Sequence, residues 1–280
     1  MKSQKWNIGA PDEQDIALLR GAGYPYLLSV VLAARGVHSP EAAAEALDRE
    51  RSLTLSPMGM KDMDKAVARI QRAIADGETI AVFGDYDADG ICASSILTAA
   101  LRKFGVHCVA HIPERAEGYG MNADALGRLI DEYAPSLIVT VDCGISNKEE
   151  VEYIKSRGVK VIVTDHHELP DKLPDCTIVN PKLKDDYPYD NLCGAGVAFK
   201  IACALLGEKA YAFLDLAAVA TVADSVPLVG ENRDIVYEGL KRINKKPRLA
   251  LEYLLASKKD EATAQTLAFT VAPRINAAGR

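Results

Sequence analysis

Residues 79–112 read TIAVFGDYDADGICASSILTAALRKFGVHCVAHI, and this stretch decides the fold class. The run TIAVF (79–83) is short, apolar on both faces and rich in β-formers, so it predicts a buried strand. An amphipathic stretch predicts a helix over about 91–104, and VHCVAHI (106–112) predicts the next strand. A strand, one helix and a strand at this spacing form a βαβ unit, whose two strands run parallel. The pattern then repeats. A helix over about 122–133 leads to SLIVTVD (136–142), and a helix near 147–157 leads to VKVIVTD (159–165). TIVN (177–180) is a shorter strand. The expected fold is therefore α/β, a mainly parallel sheet flanked by helices. Right-handed crossovers put the carboxyl ends of all its strands on one edge.

Working outward, the pattern turns helical after residue 193, through GAGVAFKIACALLG, YAFLDLAAVATVADSV and NRDIVYEGLKRIN. The sheet domain thus leads into a helical segment. Residues 1–75 read as a helical and irregular extension, with Ser39-Pro40 starting the helix EAAAEALDRE. The expected divisions are 1–75, 76–230 and 231–280. KDDYPYDN (184–191) reads as an exposed loop.

Composition limits the function classes. Of 280 residues, 49% are hydrophobic and 26% charged, the balance of a folded globular protein and not of a disordered one. No apolar run approaches the roughly 20 residues of a membrane helix. The opening MKSQKWNIGAPDEQD carries acids where an export signal would be apolar, so a cytoplasmic location is expected. The six cysteines are scattered with no C-x-x-C pair, which predicts buried, reduced thiols and no zinc site. The net charge of −6 discourages nucleic-acid binding, yet residues 231–280 hold ten basic and six acidic side chains. Within them KRINKKPR (241–248) reads as a solvated face or as a basic patch.

The acids fall at strand ends. GDYDADG (84–90) supplies Asp85, Asp87 and Asp89 after the first strand. Asp142 closes the third strand, and Asp165, His166 and His167 close the fourth. Alone, each has an ordinary explanation. Asp142 could cap a helix, adjacent histidines are commonly solvated, and D-x-D-x-D-G opens calcium loops. An EF-hand would need glutamate at loop position 12, where this chain has Ile96. Three acidic turns on one sheet edge would repel one another without cations between them. Carboxylates with imidazole suit Mn²⁺ or Mg²⁺ better than zinc.

These segments resemble the DHH phosphoesterase superfamily, whose Asp-His-His motif matches Asp165-His166-His167. Within it they are most similar to the RecJ-type single-strand-specific DNA exonucleases. The resemblance covers about residues 50–280 and rests on GDYDADG, VDCGIS, TDHHELP, ATVADSVPL (220–228) and APRINAAGR (272–280) in that order. It implies two divalent ions held by Asp87, Asp89, Asp142, His166 and Asp224, with Asp85 as a further candidate and Asp142 between the ions. Asp224 has no signal of its own, since an acid in a helical run reads as a surface residue. By the resemblance Asp165 orients His166, and His167 reaches the scissile phosphate. Arg115, Arg274, Asn276 and Arg280 are the expected phosphate contacts. In CGAGVAFK (193–200) the two glycines open a helix that could face a phosphate or pack closely on the sheet. Several relatives carry a histidine four residues before the first ligand aspartate, where this chain has Phe83.

The activity so implied is metal-dependent 5′-to-3′ hydrolysis of single-stranded DNA to 5′-mononucleotides in repair or recombination. A single-strand-binding protein or a helicase would be cellular partners. The alternative within the superfamily is a phosphoesterase for short oligonucleotides, cyclic dinucleotides or pyrophosphate. A replication scaffold with damaged ligands is disfavoured, because the candidate ligands are intact. Such exonucleases continue into a DHHA1 domain, and often an OB-fold, so a fragment ending at Arg280 is expected.

Overall fold

The computed structural model describes residues 10–48, 53, 55–114, 120–183, 186–256 and 260–278. They divide into two compact units, one up to residue 51 and one from residue 52 onward. The first unit contains α1 (Glu13–Gly21), α2 (Tyr26–Ala34) and α3 (Pro40–Leu47) around Leu19, Leu32 and Ala43. Pro40 opens α3, and the Ser39 hydroxyl accepts the Ala42 N–H, as the Ser-Pro pair predicts.

The second unit is built on a five-stranded sheet in the order β2-β1-β3-β4-β5. Its strands are β1 (Ile80–Phe83), β2 (Cys108–His111), β3 (Leu137–Val141), β4 (Lys160–Thr164) and β5 (Thr177–Val179). All four pairings are parallel. The helices α5 (Ala88–Arg102), α6 (Ala123–Tyr133) and α7 (Lys148–Ser156) are the crossovers, and α4 (Met63–Ala75) precedes the sheet. Alternate residues serve opposite faces, as the pleat requires. Ile80, Val82, Leu137, Val139 and Ile162 join α4, α5 and α8 (Gly194–Leu206) in one core. Ala81, Phe83, Ile138, Val161 and Val163 join α6 and α7 in the other. The chain leaves β1 toward β2 and returns on the other side as β3. The order therefore reverses between β1 and β3, and a crevice opens at their carboxyl ends.

Besides 3₁₀ turns at Pro57–Gly59 and Gly207–Phe213, the remaining elements are α9 (Leu214–Ala223), α10 (Gly230–Lys245), α11 (Leu249–Leu255), α12 (Ala264–Thr266), a π turn (Leu267–Val271) and α13 (Ala272–Ala278). Two sequence expectations need correction. Helix α4 falls in the stretch read as an extension, but Met63, Ala66, Val67 and Ile70 are buried in the sheet core. The compact unit accordingly begins near residue 52, and α10 to α13 belong to it as well. The loop 184–191 is exposed at Asp186, Pro188, Asp190 and Asn191, as expected, but the expectation fails at Tyr187, where the loop is anchored. Tyr187 is buried, its hydroxyl bonds Glu231, and Glu231 receives Lys200 Nζ at 2.5 Å.

Candidate metal centre

The turn after β1 folds back because Asp87 caps α5. Its Oδ1 accepts the N–H groups of Asp89 (2.9 Å) and Gly90 (3.0 Å). Only glycine fits at position 90, since a Cβ there would lie 2.5 Å from the Asp85 carbonyl oxygen. The cap fixes Asp85 and Asp89 against the crevice, both 2% exposed.

Asp142 leaves β3 with φ of 61°, a left-handed conformation that disfavours residues with a Cβ by roughly 1–2 kcal/mol. This directs it into the crevice and answers the capping alternative. The residue at the cap of α7 is Asn147, and Asp142 Oδ1 is buried and accepts no hydrogen bond from the described residues. The same holds for Asp85 Oδ1.

After β4, the adjacent histidines separate. His166 turns inward, its Nε2 at 3.2 Å from Asp142 Oδ1, 3.7 Å from Asp89 Oδ2 and 3.8 Å from Asp224 Oδ2. Asp224 arrives from the carboxyl end of α9. Asp165 contradicts the expected pairing. Its Oδ1 accepts from the ring Nδ1 of His167 at 2.7 Å and reaches His166 only through the backbone N–H, also at 2.7 Å. The reason is local: two residues beyond Asp165 the chain has turned enough to bring the His167 ring back, whereas the His166 ring points away into the acids. Asp165 Oδ2 is held by the Ile145 N–H at 2.9 Å.

Three sets of donor atoms converge, with atoms of each set within 4.8 Å of one another: Asp85, Asp87 and Asp142; Asp89, His166 and Asp224; and Asp142, His166 and His167. Asp142 is shared by two of them. The electrostatics match those of a cation site. Burial, followed by the charge of Asp142, pushes the Asp89 carboxyl well above the ordinary value. Burial and the neighbouring Asp87, Asp165 and Asp224 do the same to Asp142. Burial also raises Asp85 and Asp224. Asp165 differs. Burial pushes it up, but the bond and charge of His167 and the surrounding N–H donors outweigh this and hold it below the usual range. Oxygen donors, one or two imidazoles and buried, unsatisfied carboxylate oxygens fit Mn²⁺ or Mg²⁺. Cys143 and Cys193 lie close by, but neither belongs to the converging donor sets.

The pattern of the DHH family, N-terminal domain, matches residues 79–221, from β1 through most of α9. The chain belongs to the DHH family. It is 42% identical to the single-stranded-DNA-specific exonuclease RecJ of Bacillus subtilis over 99% of this chain and 36% of that one. It resembles the crystal structure of an exonuclease RecJ bound to manganese (TM-score 0.74, 38% identity, 81% of this chain and 59% of that chain). It also resembles the RecJ of Thermus thermophilus in complex with Mn²⁺ (TM-score 0.78, 33% identity, 97% and 40%). The chain spans between about a third and a half of the length of the curated RecJ relatives it matches.

Of the four phosphate contacts expected in this DHH domain, two fall among the described residues. Arg115 and Arg280 lie outside the described residues. Arg274 donates through Nη1 to the Leu254 carbonyl, and Asn276 Oδ1 accepts the Ala88 N–H at 2.8 Å. Both therefore make contacts within the fold that the resemblance does not imply. Within 241–248, Arg248 pairs with the buried Asp215, while Lys241, Arg242, Lys245 and Lys246 face solvent. The position where several relatives carry histidine, Phe83, is fully buried in the opposite core against the His111 ring, 5.0 Å between centroids.

Sequence reasoning left the helix start at residues 193–200 between two uses, and the DHH site employs a third. The Gly194 and Ala195 N–H groups donate to Asp89 Oδ2 and Oδ1, each at 2.7 Å. The helix end thus grips a protein carboxylate where an anionic ligand could otherwise sit. A Cβ on Gly194 would lie 2.5 Å from the Asp142 Cβ and closer still to its Oδ1. The C-G-A-G pattern carried a signal of close approach, but not of the residue approached.

Proposed function

We propose that this chain is the catalytic part of a metal-dependent exonuclease that hydrolyses single-stranded DNA from its 5′ end to 5′-mononucleotides, in DNA repair or recombination. The observation that carries this reading is the convergence of Asp85, Asp87, Asp89, Asp142, His166 and Asp224 at one sheet edge, in a chain 42% identical to a RecJ exonuclease. Divalent ions bound there, Mn²⁺ or Mg²⁺, would lower the pKa of water and offset charge building up on the phosphodiester. The chain's own residues set the conditions for this. Asp87, Asp89, Asp142, His166 and Asp224 hold the cations, with Asp85 beside them. The helix dipole and N–H groups of α8 keep Asp89 oriented. Asp165 orients the His167 ring by accepting a hydrogen bond from its Nδ1, which leaves Nε2 as the ring nitrogen available to the substrate.

A single strand can bend its backbone onto a recessed acidic floor, which a stacked duplex resists. In the cell a helicase or a single-strand-binding protein would deliver such strands, in the cytoplasm. Arg115 and Arg280 remain the proposed phosphate contacts.

The test is single-turnover digestion of 5′- and 3′-labelled single strands with and without Mn²⁺. Release of label from the 5′ end, only with Mn²⁺ and much faster than from blunt duplex, is expected. Equal rates on a dinucleotide and a long strand would favour the short-substrate phosphoesterase.

A further inference from the structure

The amino end of α5 carries the acids of the first turn, and its donors are fully committed. Asp87 takes the N–H groups of Asp89 and Gly90 through its side chain and that of Ile91 through its carbonyl. The remaining donor, Ala88 N–H, is taken by Asn276, 188 positions away in the chain. Ala88 lies between Asp87 and Asp89. A bond to its amide therefore fixes the peptide planes from which both acids project.

What brings Asn276 there is written in the preceding residues. Pro273 lies inside the helical run that starts at Ala264. A proline has no N–H, and its ring would crowd the carbonyl four residues earlier, that of Phe269. The chain relieves this by a π turn over Leu267–Val271, in which the Ala272 N–H reaches back to the Leu267 carbonyl. One extra residue in the turn rotates all that follows by about 100° relative to an uninterrupted helix. Helix α13 consequently packs against both α5 and α9, the helices whose ends carry Asp87, Asp89 and Asp224.

We propose that Asn276 is a positioning residue for the cation-binding turn. It locks Asp87 and Asp89 in ligating directions through Ala88, in a register set by the π turn before Pro273. The inference rests on the reading of those two aspartates as cation ligands. It gives Asn276 a task separate from binding a substrate phosphate.

Two measurements test it on the same protein. Calorimetric titration with Mn²⁺ compares wild type with Asn276→Ala and Asn276→Asp, the second retaining an acceptor oxygen at the same reach. Hydrogen exchange read by mass spectrometry on the peptide covering residues 86–92 follows the Ala88 amide in metal-free protein. Asn276→Ala should weaken Mn²⁺ binding by roughly tenfold, the scale of contacts that orient metal ligands, and speed exchange in 86–92. Asn276→Asp should keep exchange slow. Unchanged Mn²⁺ affinity in folded Asn276→Ala, even with a lowered melting temperature, would overturn the proposal and leave Asn276 a plain helix cap. If Asn276→Ala fails to fold, fast exchange in Asn276→Asp would overturn it. Absence of Mn²⁺ binding by wild type would instead remove the cation reading underneath.

Discussion

His166 Nε2 lies 3.2 Å from Asp142 Oδ1, an oxygen that is buried and accepts no hydrogen bond from the described residues. Asp89 and Asp224 carboxylates stand within 3.8 Å of the same imidazole nitrogen. Asp89 is also held by the Gly194 and Ala195 N–H groups, but Asp142 Oδ1 and Asp85 Oδ1 have no donor among the described residues, so the cluster is incomplete as a set of protein groups alone.

A pH dependence follows. Burial raises the Asp85, Asp89, Asp142 and Asp224 carboxyls above the ordinary value of 3.8. The folded, metal-free chain therefore keeps protons that the unfolded chain has released, and its stability falls as pH rises from 3.8 through the raised values. Asp165 runs the other way, its contribution disappearing only in acid below 3.8. Bound cations hold the four raised carboxyls ionised and remove the decline. The gap between melting temperatures with Mn²⁺ and with EDTA should widen as pH rises from 3.8 through the raised values. A gap that narrows over this range would count against the cluster as a cation site.

Gly194→Ala would place a methyl group 2.5 Å from the Asp142 Cβ and closer still to its Oδ1. Either α8 withdraws, releasing Asp89 from two N–H donors, or Asp142 is displaced. We expect a loss of about 1–3 kcal/mol in denaturant unfolding, the usual range for overpacking. Mn²⁺ affinity should drop by far more than Gly196→Ala produces, because the nearest atoms a Cβ at 196 would meet are those of the Leu192 side chain, at 3.3 Å or more.

Asp165→Asn keeps the size of the side chain but removes the charge beside His167. The amide NH₂ must also replace either Oδ1, which faces the His167 ring and the His166 and His167 N–H groups, or Oδ2, which accepts the Ile145 N–H, so one bond that orients the turn is lost. Turnover of a single strand should fall by roughly a hundredfold or more, the range of general acid–base contributions, with Mn²⁺ binding largely kept. Loss of Mn²⁺ binding in step with turnover would mean that Asp165 supports the cluster and not the His167 ring.

Lys200 and Glu231 form an ion pair with side chains 3% and 1% exposed, completed by the Leu55 carbonyl and the Tyr187 hydroxyl. Lys200→Met leaves the Glu231 charge buried without its partner, a loss of about 3–5 kcal/mol. Adding Glu231→Gln should recover part of it. The urea midpoints of the two variants decide this.

The α/β sheet was legible because its strands are apolar on both faces and its helices are not, and that pattern needs no knowledge of partners. Strand ends at Phe83, Val141 and Thr164 likewise follow from where apolar runs meet acids. The opposite turns of His166 and His167 were not legible, since adjacent residues in a tight turn differ only in backbone angles. Nor was the bond from Asn276 to Ala88, which depends on a π turn whose only trace is Pro273 in a helical run. Tyr187 misled because K-D-D-Y-P-Y-D-N is loop-like in composition, while its burial depends on Lys200 and Glu231 far along the chain. Asp224 entered only through a resemblance, as an acid at a helix end has no distinctive local pattern.

The central claim is that the acids of this sheet edge exist to hold divalent cations. The most direct measurement is anomalous diffraction at the manganese edge from crystals grown with Mn²⁺. The account predicts anomalous peaks in the crevice between β1 and β3, liganded by Asp142 and shared among Asp87, Asp89, His166 and Asp224. A map with no peak in contact with Asp142, from crystals at saturating Mn²⁺ and neutral pH, would contradict it.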